Sequence, residues 1–213
     1  KWRALFSHSV GRVMKPIFIK DFLPIQLFNF INSYCLIKYS NSSHVDLDQQ
    51  TGSFTRSYGD PVMETLMDLS TPVIESNVGK KLFPTYSYFR IYDKGDDLKT
   101  HTDREACEFT VALCLGADPV DKPYDIFIGE RDDNSDYKYY DEKNKKLEGL
   151  NIEHKFNMIP NSAVIFKGQD KVHWREPSIH DHFITVFLHY VDQEGPHKDE
   201  KYDKRDSLGV SKK

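Results

Sequence analysis

The sequence predicts an α+β domain that is mainly β: a double-stranded β-helix (jelly roll) with N-terminal helices bracing one of its sheets. The chain contains 14 Phe and 12 Tyr, and such aromatic residues favour strands over helical bundles. From residue 86 onward, eight short stretches with strand character follow one another, separated by turn residues such as those at 94–96 and 160–161. Eight strands punctuated in this way are typical of the two packed sheets of a jelly roll.

The individual elements are assigned from apolar spacing and from capping signals. A short strand is expected at 16–19. Asp21 is a candidate N-cap for a helix over 22–38, and Pro61 suits the first turn of a second helix, 61–69. A third helix is expected over about 72–82. The strands of the jelly roll are predicted at 86–92, 98–103, 108–115, 123–128, 152–158, 162–167, 171–175 and 183–191.

A chain of 213 residues is expected to form one domain with a sizeable core. Residues 1–13 are predicted to be a dispensable N-terminal extension, and residues 14–193 a single domain with its jelly-roll core at 86–192. The charged, Tyr-bearing stretch 129–150 interrupts the strands, which predicts a mobile lid over the site. Residues 194–213 are almost wholly polar and are expected to form a disordered tail.

Charge and cysteine content narrow the class of protein. The net charge of −4 and the pI of about 6.1 give no electrostatic reason to expect binding to nucleic acid or to an anionic membrane. The sequence has no apolar run long enough for a transmembrane helix and no signal-peptide pattern at its start. Cys35, Cys107 and Cys114 lack CxxC spacing, which predicts reduced thiols and a cytoplasmic protein.

The candidate functional residues begin with a His-x-Asp triplet. This pattern occurs at 44–46, 101–103 and 197–199, so the pattern alone has little weight. Only the triplet of His101 and Asp103 lies between two predicted strands. The first occurrence is in a polar stretch, and the third is in the charged tail. The strand context therefore selects His101 and Asp103.

A third candidate, His173, lies on the seventh predicted strand, which in a jelly roll can pass close to the second. Residues two apart on an extended chain point the same way, so His101 and Asp103 can reach one ion. Two imidazoles and one carboxylate occupy one face of an octahedral ion and leave the opposite face open. That arrangement is the ligand set of non-haem Fe(II) oxygenases. The sequence thus predicts a metal site at His101, Asp103 and His173.

Residues 86–192 resemble the catalytic core of Fe(II)/2-oxoglutarate-dependent dioxygenases of the prolyl 4-hydroxylase-like group. The matching stretches are 90–95, the pair His101 and Asp103, 163–168, and His173 followed by the strand 184–188. The resemblance implies Fe(II) bound by the three candidate ligands, with 2-oxoglutarate and O2 as co-substrates and ascorbate as a possible reductant. It further implies hydroxylation of a substrate with release of succinate and CO2.

The resemblance also implies a cation for the far carboxylate of 2-oxoglutarate. Members of the group carry Lys or Arg on the last core strand, but this chain has His182 and Phe183 at the corresponding positions. Arg175 is the preferred candidate because it lies two residues after His173, and guanidinium groups bind carboxylates with two parallel hydrogen bonds. His182 is the second choice. Tyr92 matches a tyrosine that contacts the co-substrate in relatives.

Three functions are compatible with the sequence. The first is an active hydroxylase acting on a small molecule or a peptide, with a prolyl residue, a free amino acid, a nucleobase or a sugar all left open. The second is a non-catalytic metal-binding jelly-roll module, which the missing Lys or Arg on the last strand favours. The third is a cupin-type enzyme using another metal, although such sites usually contain more histidines at close spacing.

Overall fold

The computed structural model describes residues 14–40, 55–130 and 152–210. The predicted extension 1–13 lies outside the described residues. Nearly all of the predicted insertion 129–150 lies outside them as well, as does the His-x-Asp triplet at 44–46.

Within the described residues, ten strands form two antiparallel sheets. The larger sheet has six strands in the order β1-β8-β5-β10-β3-β2, and the smaller sheet has four in the order β4-β9-β6-β7. This double-stranded β-helix confirms the predicted fold class. In chain order the strands are β1 (Ile17–Ile19), β2 (Thr55–Tyr58), β3 (Leu82–Asp93), β4 (Leu98–His101), β5 (Phe109–Asp118), β6 (Tyr124–Gly129), β7 (Ile152–Met158), β8 (Ala163–Phe166), β9 (Val172–Arg175) and β10 (His182–Asp192).

Two helices, α1 (Ile25–Ser40) and α2 (Pro61–Val78), cover the outer face of the larger sheet. The N-terminus of α2 is capped by Asp60, whose carboxylate accepts hydrogen bonds from the backbone N–H groups of Val62 and Met63. The C-terminus ends at Gly79 in the left-handed conformation, at φ 71°. In the part of the chain that the structure describes, no helix is long and apolar enough to cross a membrane.

The helix α2 is continuous, so the prediction of separate helices at 61–69 and 72–82 was wrong. Pro72 lies inside it on the exposed side. A proline removes one backbone hydrogen bond from a helix. The apolar face nevertheless continues past Pro72, because Met67 and Ile74 are both buried against the larger sheet. Burial of that continuous face outweighs the lost bond.

The strand β3 begins at Leu82, four residues earlier than predicted, because Leu82 pairs with Asp192 at the end of β10. Side chains on this strand alternate between two apolar clusters. Phe89 and Ile91 pack under the helices, whereas Tyr88 and Tyr92 line the space between the two sheets. Alternation therefore gives the molecule an outer core that joins helices to sheet and an inner cluster between the two sheets, beside which the candidate site lies.

Residues 194–210 are folded, which corrects the prediction of a disordered tail for that part of 194–213. After β10, 3-10 turns span Lys198–Lys204 with a kink at residues 201–203, and Asp203 is fully buried. Beyond it, Arg205 forms a buried ion pair with Glu64 of α2. The polar residues that suggested disorder instead form specific ion pairs with distant parts of the chain.

Candidate metal centre

The two candidate histidines are direct neighbours in the smaller sheet. His101 is the last residue of β4, and it pairs in register with His173 of β9. Residues that lie opposite each other in an antiparallel pair project to the same face. The two rings accordingly lie with their centroids 4.3 Å apart. Asp103 follows His101 by two residues and reaches the same point.

The donor atoms of the three residues lie close together. His101 Nε2 and His173 Nε2 each lie 3.6 Å from Asp103 Oδ1. One donor atom from each of the three residues lies within 4.8 Å of the others. On each ring, Nδ1 donates to a backbone carbonyl, at 2.7 Å to Lys99 and 3.0 Å to Lys171. These bonds select the tautomer in which Nε2 is free to bind a metal.

Burial and neighbouring groups shift the pKa values of His173 and Asp103. Burial, together with the neighbouring His101, lowers the pKa of His173 to about 4, so that ring is neutral near pH 7. For Asp103, burial raises the pKa of the carboxyl, but the surrounding imidazoles outweigh burial and hold that pKa below its usual range. Two imidazoles and one carboxylate are the donor set with which non-haem oxygenases bind Fe(II).

Asp103 is held in place by residues that were not identified from the sequence. Its Oδ2 accepts a hydrogen bond from Thr110 Oγ1 at 2.7 Å, and its backbone N–H donates to the Gly168 carbonyl at 2.9 Å. A Cβ at position 168 would lie 2.2 Å from both Asp103 Oδ2 and Thr110 Oγ1. The alternation of β5 places Thr110 on the inner face, but only the fold brings Gly168 beside it.

A second group of potential ligands shares Asp103 with the first. One donor atom from each of Asp103, Cys107 and His189 lies within 4.8 Å of the others. Burial raises the pKa of the Cys107 thiol well above its usual value, and the thiol contacts the hydroxyl of Tyr86 at 3.1 Å. Burial also lowers the pKa of His189 to about 4. A protonated thiol is a poor ligand, so this group has a weaker donor set than the first.

Arg175 is buried between the sheets, with 2% of its surface exposed. Its Nη1 donates to the Tyr124 carbonyl at 2.7 Å. Its Nε and Nη2 are buried without a hydrogen-bond partner. Leaving such donors unsatisfied is costly, and a buried guanidinium costs more than a neutral group. The region between the two sheets therefore contains two donor atoms suited to an anionic ligand.

Tyr92 and His182, the other two residues predicted to contact 2-oxoglutarate, lie in different surroundings. Tyr92 is fully buried on the inner face of β3, and its hydroxyl also lacks a hydrogen-bond partner. His182 alternates with Phe183, which faces the inner cavity, so His182 points to the helix-covered side. Its ring lies 5.5 Å from that of Tyr39 in α1. The structure brings Tyr92 and Arg175 together, and it places His182 outside that group.

By sequence, no family model matches the chain, and no curated protein matches it either. The fold, by contrast, has solved counterparts. A Pseudomonas putida prolyl-4-hydroxylase is 15% identical with a TM-score of 0.56, and the alignment covers 82% of this chain and 91% of that one. A Trichoplax adhaerens prolyl hydroxylase, solved with a hypoxia inducible factor peptide fragment, is 16% identical with a TM-score of 0.55 and 84% coverage of both chains.

Counterparts also include proteins of other specificity. The non-heme alpha ketoglutarate dependent epimerase SnoN from nogalamycin biosynthesis is 11% identical with a TM-score of 0.62, and the alignment covers 91% of this chain and 85% of that one. SnoN has been solved with Fe3+, alpha ketoglutarate and nogalamycin RO. At these identities the likeness establishes the fold. The chain therefore has the fold of the Fe(II)/2-oxoglutarate-dependent oxygenases, as its sequence resemblance predicted.

Proposed function

We propose that this protein is an Fe(II)- and 2-oxoglutarate-dependent dioxygenase that hydroxylates its substrate. One observation carries the proposal: the donor atoms of His101, Asp103 and His173 converge beside the region between the two sheets where Arg175 and Tyr92 have buried donors without partners. A metal-binding triad alone fits many proteins. A triad beside a buried guanidinium fits a metal enzyme with a small dicarboxylate co-substrate.

The three ligand residues have distinct contributions in this proposal. His101 and His173 would bind the metal through Nε2, because their Nδ1 atoms are hydrogen-bonded to backbone carbonyls. Asp103 supplies the negative charge that attracts a divalent ion into the partly buried site. Bound iron would supply the activation of O2, which no amino-acid side chain can provide.

Arg175 is proposed to bind the far carboxylate of 2-oxoglutarate. It lies two residues beyond His173 on β9, so both side chains face the cavity, about 7 Å apart along the strand. That spacing suits a five-carbon dicarboxylate whose other end binds the metal. The guanidinium Cζ lies 5.2 Å from the ring of Phe183. Phe183 is one of the two positions at which the resembled group carries a cation, so this contact supports the proposed role of Arg175.

The cavity walls would keep water from the reacting centre. Phe166 and Phe187 are buried on the larger sheet, and Ile126 and Ile128 are buried opposite them on the smaller sheet. A dry cavity strengthens the interaction of Arg175 with a carboxylate and protects reactive species from side reactions.

For the substrate we propose a prolyl residue in a peptide or a free amino acid. The three buried, free cysteines fit a reducing compartment such as the cytoplasm.

The direct test is succinate formation from 2-oxoglutarate by purified protein with Fe(II), O2 and ascorbate. We expect steady release that requires Fe(II) and is lost in His101→Ala, Asp103→Ala and His173→Ala. His197→Ala, which changes the histidine of the third His-x-Asp triplet, is the matched control and should retain activity. Metal binding without any succinate release would favour the non-catalytic module. Full activity in His101→Ala would refute the assigned centre.

A further inference from the structure

The two carboxylate oxygens of Asp103 have different surroundings. Oδ1 faces the metal-binding atoms and lies 3.6 Å from Nε2 of both His101 and His173. Oδ2 points the other way and accepts the hydrogen bond from Thr110 Oγ1. A carboxylate can bind a metal through one oxygen or through both, and the two modes use different numbers of coordination positions. The environment of Oδ2 therefore affects how many coordination positions of the metal ion stay open for other ligands.

The direction of the hydrogen bonds around Thr110 follows from the number of protons. A hydroxyl has one proton to donate, and an ionised carboxylate can only accept. Thr110 therefore donates to Asp103, and its oxygen is left to accept. His189 Nδ1 lies 3.2 Å from that oxygen and must be the donor. The two hydrogen bonds therefore have the same direction: His189 Nδ1 donates to Thr110 Oγ1, and Thr110 Oγ1 donates to Asp103 Oδ2.

The surroundings of these two hydrogen bonds prevent Oδ2 from turning toward a metal. Gly168 approaches so closely that a Cβ there would lie 2.2 Å from both Asp103 Oδ2 and Thr110 Oγ1. Thr110 and His189 are buried, and His189 packs against the ring of Tyr86 at 4.5 Å. Rotation of the carboxylate would break the buried hydrogen bond from Thr110 and leave both polar groups without a partner.

We propose that Thr110, oriented by His189, is a positioning residue that restricts Asp103 to binding the metal through Oδ1 alone. In an octahedral ion, three protein donors leave about three positions, enough for a chelating 2-oxoglutarate and one further ligand. If Asp103 bound through both oxygens, about two positions would remain, and the chelating co-substrate would fill them. The inference rests on the proposed function, because it concerns coordination at that centre.

A purely structural role for Thr110 makes a different prediction. If the hydroxyl only satisfies a buried carboxylate, its loss should lower the melting temperature and the metal affinity. It should not change the number of waters on the bound ion. Counting the coordinated waters therefore separates the two roles, and the count requires neither 2-oxoglutarate nor turnover.

The test uses Mn2+ alone as the probe, with the number of bound waters measured from water-proton relaxation. We expect wild-type protein and Thr110→Ser to hold about three waters on Mn2+, and Thr110→Val to hold about one fewer. Thr110→Ala also lacks the hydroxyl, and it replaces Thr110→Val if that variant does not fold. Thermal melting and a metal titration accompany each variant.

The outcomes are distinct. A water count in Thr110→Val or Thr110→Ala equal to that of wild type would overturn the positioning role and leave the proposed function standing. Failure of the wild-type protein to bind Mn2+ would instead remove the metal centre itself. Loss of one water in both variants without a hydroxyl, with the count restored in Thr110→Ser, would support the inference.

Discussion

The guanidinium of Arg175 lies over the ring of Tyr92, with Cζ 5.6 Å from the ring centroid, although the two residues belong to opposite sheets. Both side chains have buried polar hydrogens without a partner. Arginine stacked on an aromatic ring is held in orientation, which lowers the entropic cost of binding a second group. The pair is therefore preorganised for an anion that enters between the sheets.

Arg175→Ala is expected to raise the Kd for 2-oxoglutarate strongly while leaving metal binding intact. Losing a charge-assisted pair in a dry cavity costs about 2–5 kcal/mol. Titration of the Mn2+-loaded protein with 2-oxoglutarate measures the effect. His182→Ala is the comparison, because its ring packs against Tyr39 on the helix-covered side. If His182→Ala loses affinity for 2-oxoglutarate and Arg175→Ala does not, His182 is the residue that binds the far carboxylate.

Gly168→Ala is expected to weaken metal binding by about 10–100-fold, the usual effect of disturbing residues that support ligands. The new methyl group would collide with Asp103 Oδ2 and Thr110 Oγ1. A Mn2+ titration monitored by electron paramagnetic resonance measures the loss. Asp170→Ala changes an exposed residue of the same turn and should bind Mn2+ like wild type. Unchanged affinity in Gly168→Ala would show that the loop can move away from Asp103.

Arg205→Ala is expected to lower the free energy of unfolding by about 3–5 kcal/mol, because it leaves the carboxylate of Glu64 buried without its partner. Urea denaturation followed by circular dichroism is the measurement. The ion pair of Lys204 with Glu200 provides a control in the same segment, since Lys204 is 63% exposed. Lys204→Ala should leave the unfolding midpoint unchanged. Equal effects of the two substitutions would contradict the assignment of the buried pair.

Asp203→Asn is expected to lower stability and to weaken metal binding a few-fold. The carboxylate of Asp203 accepts a 2.6 Å hydrogen bond from Arg104, the residue directly after the ligand Asp103, and a second from Tyr58. Asp203 also has a positive φ of 56°, which its buried contacts must sustain.

Thermal melting and a Mn2+ titration measure the two effects of Asp203→Asn. Asp206→Asn, an exposed neighbour, is the control and should change neither quantity. If Asp203→Asn melts earlier but binds Mn2+ like wild type, the C-terminal segment supports the fold without reaching the metal centre.

Much of the fold could be predicted because its signals are local. Turn residues and period-two alternation marked the strands from 86 to 191, and strand context singled out His101 among three His-x-Asp triplets. The errors came where distant contacts override local composition. Pro72 suggested a helix break, but the buried face of α2 continues through it. The polar tail suggested disorder, but Arg205 pairs with Glu64, 141 positions earlier in the chain.

The sequence by itself determined the succession of strands along a jelly-roll core and the residue types of a candidate metal site. Alternation and turn chemistry act over a few residues and are therefore visible in the sequence. The tertiary structure alone decided which side chains complete the site. It placed Arg175 beside Phe183, turned His182 toward α1, and brought Thr110 and Gly168 around Asp103. These contacts depend on how the two sheets and the helices pack against one another, which the local pattern of the sequence does not specify.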